Sequence, residues 1–243
     1  MVHSWEIIKE RKNRVLVGML CPGDVAQASI DFMRMFRHIQ LPPGSDFAPV
    51  VGLPFDAGRN QVLKMAYQNG MHCAYLDLDL RVPPDTYIRL LESQLPYVGG
   101  LYYQKFPPYN PCIFNATQDA QGNIMQVPVL GWKPGDIVPV DFLPTGILLI
   151  RNELLGPIFQ RWPLPFTFGV DIAPVPDFGG NPVPAMSEDF GLCWRVQTGL
   201  GIKPACMTGI VGLHEVRNAV VGPKYMIQQP DPHPLRGVVG VVQ

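Results

Sequence analysis

Between Val15 and Glu92 the chain repeats one pattern three times: a short, continuous apolar run, a turn, and then a segment with helical periodicity. Val15-Leu16-Val17-Gly18-Met19-Leu20 reads as a buried strand that Pro22-Gly23 ends. Asp24 can then cap a helix with Val25, Ala28, Phe32 and Phe36 on one face. Ala48 to Phe55 reads as a second strand, and Asp56 opens a helix with Val62, Met65 and Ala66 inward, closed by Asn69-Gly70. Cys73-Ala74-Tyr75-Leu76 is the third apolar run and leads into Asp77-Leu78-Asp79. Pro83-Pro84-Asp85 starts the next helix, with Tyr87, Leu90 and Leu91 inward, because proline fits the first helical turn. Strands that alternate with helices at this spacing predict an α/β fold built on a parallel sheet with right-handed crossovers.

After Tyr97 the rhythm breaks. Fourteen of the chain's 27 prolines fall between Pro107 and Pro184, and this half is expected to be loop-rich. Val98–Tyr103 reads as a strand. Ile113–Ala116 and Ile124–Val127 flank Gln121-Gly122-Asn123, a hairpin turn. Val138–Ile150 is strand-like but broken at Pro144-Thr145-Gly146, and Asn152 can cap a helix to Arg161. Residues 162–186 have no period and suit a functional loop. A helix over Glu188–Thr198 stopped by Gly199, and a last strand region over Ile202–Leu213, complete the reading. The tail, 216–243, is expected to wrap the surface. The expected organisation is a single domain with a regular half over 14–100 and a loop-rich half over 101–215.

Several function classes are disfavoured. With 19 basic and 20 acidic residues the net charge is −1, so no general nucleic-acid binding is expected. A chain that is 47% hydrophobic and 16% charged is too apolar for disorder. The Val15–Cys21 run is too short to span a bilayer. Lys9, Arg11, Lys12 and Arg14 precede it, yet Pro22-Gly23-Asp24 follows where a secretory signal would carry a small-residue cleavage site. The five cysteines are odd in number and show no C-x-x-C spacing, which predicts buried free thiols. A soluble, cytoplasmic protein without a transmembrane segment is the expectation.

The chemistry concentrates at Asp77 and Asp79. A spacing of two on a strand would point both carboxylates to one side. They sit at the carboxyl end of a predicted parallel strand, where open α/β sheets bind ligands. Two such carboxylates repel unless a cation neutralises them, and a divalent metal also accepts diphosphate oxygens. The plainer alternative is an Asp pair capping the next turn.

The run Gly70-Met71-His72-Cys73-Ala74-Tyr75-Leu76-Asp77-Leu78-Asp79, followed by Pro83-Pro84-Asp85, resembles the nucleotide-sugar glycosyltransferases of the GT-A fold (family-2-like). So do Ala57-Gly58-Arg59-Asn60, Phe142-Leu143-Pro144-Thr145-Gly146-Ile147, Met186-Ser187-Glu188-Asp189-Phe190 and Gly212-Leu213-His214, in that family's order over residues 14 to 215. The resemblance implies a Rossmann-like mixed sheet flanked by helices, with 14–100 as the nucleotide-binding half and 101–215 as the acceptor and catalytic half. It implies a metal-dependent hexosyltransferase-like enzyme moving a sugar from a UDP- or GDP-type donor to a glycan or other hydroxyl acceptor. Mn2+ or Mg2+ would be held by Asp79 and His214, with Asp77 as a further ligand that also lies near the donor ribose and sugar. Cys21-Pro22-Gly23 would pass near the base and ribose. Arg59 would reach a base carbonyl or a phosphate beside Asn60, and Gly146 would belong to the glycine loop at the donor. Glu188 and Asp189 are the candidates for general base, and the family pattern gives the role to Asp189. A carboxylate base fits inversion at the anomeric carbon. The competing readings are a non-catalytic nucleotide- or glycan-binding domain of the same fold, a D-x-D phosphatase, and a sugar nucleotidyltransferase. Arg81 stands where the phosphatase pattern wants Thr or Val, and Cys21-Pro22-Gly23-Asp24 is not the Gly-rich loop of the nucleotidyltransferases.

Overall fold

The structure is a computed structural model that describes residues 13–21, 30–120, 124–167, 186–216, 219–222 and 237–240. The chain order is β1 (Val15–Cys21), α1 (Ile30–Phe36), β2 (Asp46–Val51), α2 (Phe55–Gln68), β3 (His72–Leu76), β4 (Leu80–Arg81), α3 (Thr86–Glu92) and β5 (Tyr97–Leu101). The second half adds β6 (Phe114–Gln118), β7 (Ile124–Pro128), β8 (Ile137–Pro139), β9 (Ile147–Ile150), α4 (Asn152–Arg161), α5 (Glu188–Leu200) and β10 (Ala205–Val211). Strands β11 (Leu213–Val216), β12 (Ala219–Gly222) and β13 (Gly237–Gly240) follow.

Seven strands form the main sheet in the order β2-β1-β3-β9-β5-β10-β8. β1 runs parallel to both β2 and β3, and β5 runs parallel to β10. β9 lies antiparallel between β3 and β5, and β8 is antiparallel to β10. The α/β expectation therefore holds as a mixed sheet flanked by helices; the parallel rhythm of the first half is interrupted by a strand from the second. Every residue of β1, β3, β5 and β9 is buried, as continuous apolar runs require when both faces are covered. Val15, Val17, Ala74, Leu76 and Leu149 pack with Phe32 of α1 and with Tyr87 and Leu90 of α3. Leu16, Leu20, Tyr75, Leu148 and Ile150 pack on the other face with Val62 and Leu63 of α2, Leu155 and Ile158 of α4, and Trp194 of α5. Each fully buried Leu or Val is worth ~1.5–3 kcal/mol, so the central strands give the site a stiff platform.

Several boundaries differ from the sequence reading. β2 stops at Val51 because Gly52 turns the chain at φ 73°, and α2 begins at Phe55 behind Pro54. Asn152 does not cap α4 from outside. It is the first helical residue; its N–H donates to His72 Nδ1 at 2.9 Å and its amide donates to the Met71 carbonyl. α5 continues to Leu200, since Gly201 takes the left-handed conformation at φ 69°. Gly199 stays inside the helix, where a Cβ would lie 2.7 Å from the Trp162 ring. The last strand region splits at Gly212 into β10 and β11. The expected helix start at Asp24, the hairpin turn at 121–123 and most of the 162–186 loop lie outside the described residues.

A second sheet, β13-β12-β11-β4, takes up parts of the expected tail as strands. Its functional consequence is local: β11 pairs antiparallel with β4, setting His214 opposite Leu80 and Leu213 opposite Arg81. This pairing carries residue 214 to the D-x-D turn. No helix among the described residues is long and apolar enough to cross a membrane.

Candidate active site

β3 ends at Leu76, one residue short of the first carboxylate. Asp77 donates its N–H to the Gly146 carbonyl at 3.1 Å, and Leu80 N–H closes a turn on the Asp77 carbonyl at 3.1 Å. Asp77-Leu78-Asp79 is thus a turn and not a strand, so strand alternation does not set the two side chains. Asp77 lies near Arg59 and Asp189. Asp79 instead meets Lys105 in an ion pair and faces His214, whose Nε2 is 3.9 Å from Asp79 Oδ1.

Burial pushes the Asp77 carboxyl up from 3.8 to about 6; Arg59 opposes the rise, Asp79 and Asp189 add to it, and Lys105 opposes it. The native state therefore holds this proton more tightly than the unfolded chain does. Folding carries no penalty from Asp77 below pH ~4, and the penalty grows as pH rises to about 6 and is complete above it. Two units correspond to ~3 kcal/mol at most, and partial solvation reduces that to ~1–3 kcal/mol. Asp77→Asn should then raise Tm by about 3–8 °C at pH 8 and leave it nearly unchanged at pH 4. Equal Tm values for the two proteins at pH 8 would show that the carboxylate is tolerated without cost.

His214 is buried, and its Nδ1 hydrogen-bonds the Tyr103 carbonyl. A carbonyl can only accept, so Nδ1 carries the proton and the Nε2 lone pair is turned to Asp79. Burial lowers the imidazole pKa, which keeps that lone pair available at neutral pH. The edge of the Tyr102 ring holds the imidazole at a centroid distance of 5.1 Å.

Magnesium-type cations are commonly held by one or two protein groups plus waters and substrate phosphates. Asp79, 39% exposed at its side chain, and His214 Nε2 could serve as such a pair, with Tyr103 behind the imidazole as a hydrogen-bond partner of the kind that metal-ligating imidazoles usually have. Among the described residues no three His, Cys, Asp or Glu side chains gather closely enough to cage a metal. Asp77, expected as a further ligand, sits in the same turn, and Arg59, Asp79, Asp189 and Lys105 all act on its carboxyl.

The E-D pair at the start of α5 divides sharply. Glu188 forms an ion pair with Arg59, with side chains only 6% and 7% exposed. A carboxylate closed on a guanidinium and shut from solvent is not free to take a proton from an acceptor. Arg59, expected to reach a nucleobase or phosphate, makes that pair through Nη1; its buried Nε has no hydrogen-bond partner among the described residues, and its guanidinium lies 5.3 Å over the Phe55 ring. Asp189 is half-buried and keeps an open oxygen. Its Oδ1 accepts from Ser187 Oγ and from Phe190 N–H, while no hydrogen bond reaches Oδ2 among the described residues.

Asn60 is also not an open donor. Its amide clamps residue 166, giving Nδ2–H to the Phe166 carbonyl at 2.6 Å and accepting Phe166 N–H at 2.9 Å. Arg195 ties down the same segment through Pro165 and Thr167. Gly146 sits where a Cβ would lie 2.6 Å from Tyr102 Oη, and its N–H donates to that oxygen at 3.1 Å. The glycine lets the loop press on Tyr102 and hold the Asp77 backbone. Cys21 ends β1, buried, its carbonyl accepting from Gly52 N–H at 2.9 Å; Pro22 and Gly23 lie outside the described residues. Tyr102 and Tyr103 are buried in the core. All five cysteines are free. Lys105 and Ser187 were not singled out by the sequence reading. Ser187 could have been found as a small polar residue just before a helix; Lys105 carries no motif.

No family model matches the chain, and no curated protein matches it. Among solved structures the chain is similar to the crystal structure of A197 from STIV. The TM-score is 0.52 at 14% identity, and the alignment covers 84% of this chain and 86% of that one. At that identity the likeness concerns the fold.

Proposed function

We propose that the chain is a glycosyltransferase of GT-A type that moves a sugar from a nucleoside diphosphate donor to an acceptor hydroxyl. The observation that carries the reading is the meeting of Asp79 with His214 at the carboxyl end of a central parallel strand, with Asp189 close enough to act on Asp77. Asp77 and Asp79 lie over a hundred residues from Asp189 and His214 in sequence, and burying charge at one place without a ligand to serve is unfavourable. The antiparallel β9 between parallel neighbours supports the finer fold assignment. A cytoplasmic setting belongs to the same proposal and is supported by the free thiols.

In this reading Asp79 and His214 would hold Mn2+ or Mg2+, which supplies positive charge to the leaving diphosphate. Asp77, adjacent to them, would contact the donor's ribose or sugar. Asp189 Oδ2 takes the acceptor's hydroxyl proton as that oxygen bonds to the anomeric carbon. The bond from that carbon to the phosphate oxygen breaks, and its electron pair leaves with the nucleoside diphosphate. One displacement of this kind inverts the anomeric centre. Glu188 and Arg59 fix the start of α5, and hence Asp189, against α2.

The test is a panel of UDP- and GDP-sugars read by release of free nucleotide, alongside melting with UDP, GDP, ADP, CDP and dTDP. A ligand at a hundredfold excess over its Kd stabilises by about 2.7 kcal/mol. The matching nucleoside diphosphate with Mn2+ should therefore raise Tm by roughly 5–10 °C, and EDTA should remove most of the gain. No shift with any of the five nucleotides would sink the proposal.

A further inference from the structure

The carboxylates already have a cation of the chain's own beside them. Lys105 follows β5 in a turn whose root is well fixed: Tyr103 bridges Pro111, and Gln104 N–H donates to the Asn110 carbonyl at 2.9 Å. The Tyr103 carbonyl at that root is the one that orients His214. The tip projects outward, with Phe106 74% exposed. Lys105 turns back from the tip and sets Nζ on Asp79 Oδ2, its side chain still 35% exposed. Its charge also lowers the Asp77 carboxyl and the His214 imidazole, so it acts on all three groups. The other cation acting on Asp77 is Arg59, which is closed on Glu188.

A diphosphate is strongly anionic, and Asp77, Asp79 and Asp189 would repel it. We propose that Lys105 is the diphosphate-binding residue of this site: it holds Asp79 while the donor is absent and passes to the phosphate oxygens when the donor enters, leaving Asp79 free for a cation. The inference rests on the nucleoside diphosphate reading above. The exchange is favourable in direction. A half-exposed ion pair of this kind holds by about fivefold or less, whereas charge-assisted hydrogen bonds to phosphate are worth ~10–100-fold. The flexible lysine stem permits the movement without rearranging the backbone.

Calorimetric titration with two simple probes, inorganic pyrophosphate at saturating Mn2+ and Mn2+ alone, tests both halves on wild type, Lys105→Met and Lys105→Arg. Lys105→Met should weaken pyrophosphate by ~10-fold or more. It should tighten Mn2+ by about five- to tenfold, since a positive charge no longer competes for Asp79. Lys105→Arg should restore pyrophosphate binding to near the wild-type value. Unchanged pyrophosphate binding in Lys105→Met overturns the inference and leaves the transferase reading standing. Weaker binding of both probes overturns it too, by making Lys105 a support for the turn. Failure of wild type to bind pyrophosphate with Mn2+ overturns this inference and the nucleoside diphosphate reading together.

Discussion

Asp189→Asn is expected to lower turnover by ~10²–10⁴ while donor affinity changes little. The size follows from the role: the substitution removes the group that accepts the acceptor's proton and touches neither Asp79 nor His214. The structure makes this a clean experiment. Asp189 Oδ1 accepts from Ser187 Oγ and Phe190 N–H, and an asparagine carbonyl oxygen can keep both bonds, so the start of α5 should survive. The buried Arg59–Glu188 pair that fixes the same turn is untouched. Initial rates at saturating donor, with donor Kd measured separately, decide the matter. A large loss of donor affinity with normal turnover would make Asp189 a binding residue and leave the base unassigned.

Asp79→Asn is expected to abolish cation-dependent donor binding and to reduce turnover by ~10²–10³. Asparagine keeps the shape of the side chain but removes the charge that a divalent cation needs. The fold should tolerate it. The Asp79 carbonyl still accepts Glu215 N–H at 2.7 Å, which ties the turn to β11. The Lys105 pair that is lost is half-exposed and worth ~1 kcal/mol or less. Mn2+ titration and nucleotide release, read on a protein with near wild-type Tm, give the answer. Wild-type transfer in the same cation would remove the D-x-D turn from the site.

The first hundred residues were largely legible because the elements there are specified locally, apart from β4, which depends on its pairing with β11. The apolar runs at Val15, Ala48 and Cys73 correspond to β1, β2 and β3, and the helix after Pro83-Pro84-Asp85 begins at Thr86. Errors of a few residues, as at Val51 and Leu200, trace to single glycines whose backbone angles periodicity does not reveal. In the second half the pattern gives strand-like stretches over Val138–Ile150, broken at 144–146, and over Ile202–Leu213, which contain β9 and β10, but not their neighbours in the sheet. Seating β9 antiparallel between β3 and β5 depends on Gly99, where a Cβ would collide with the Ile147 carbonyl of β9, and that is a tertiary contact.

The candidate site divides the same way. Sequence alone determined that Asp77 and Asp79 follow a buried strand, that Glu188 and Asp189 open a helix, and that His214 follows the last apolar strand. Local propensity and burial pattern suffice for those placements. Tertiary structure alone decided what each side chain does there. Pairing of β11 with β4 set His214 against Asp79. The turn at Asp77–Leu80 held the Asp77 backbone on Gly146 and set Asp79 against Lys105 and His214. The ion pair between Arg59 of α2 and Glu188 of α5 formed while Asp189 kept an open oxygen, and the turn after β5 delivered Lys105. Charge pairing acts through space over a few ångströms, and residues 59 and 188 or 79 and 105 carry no signal of that proximity until the chain between them has folded.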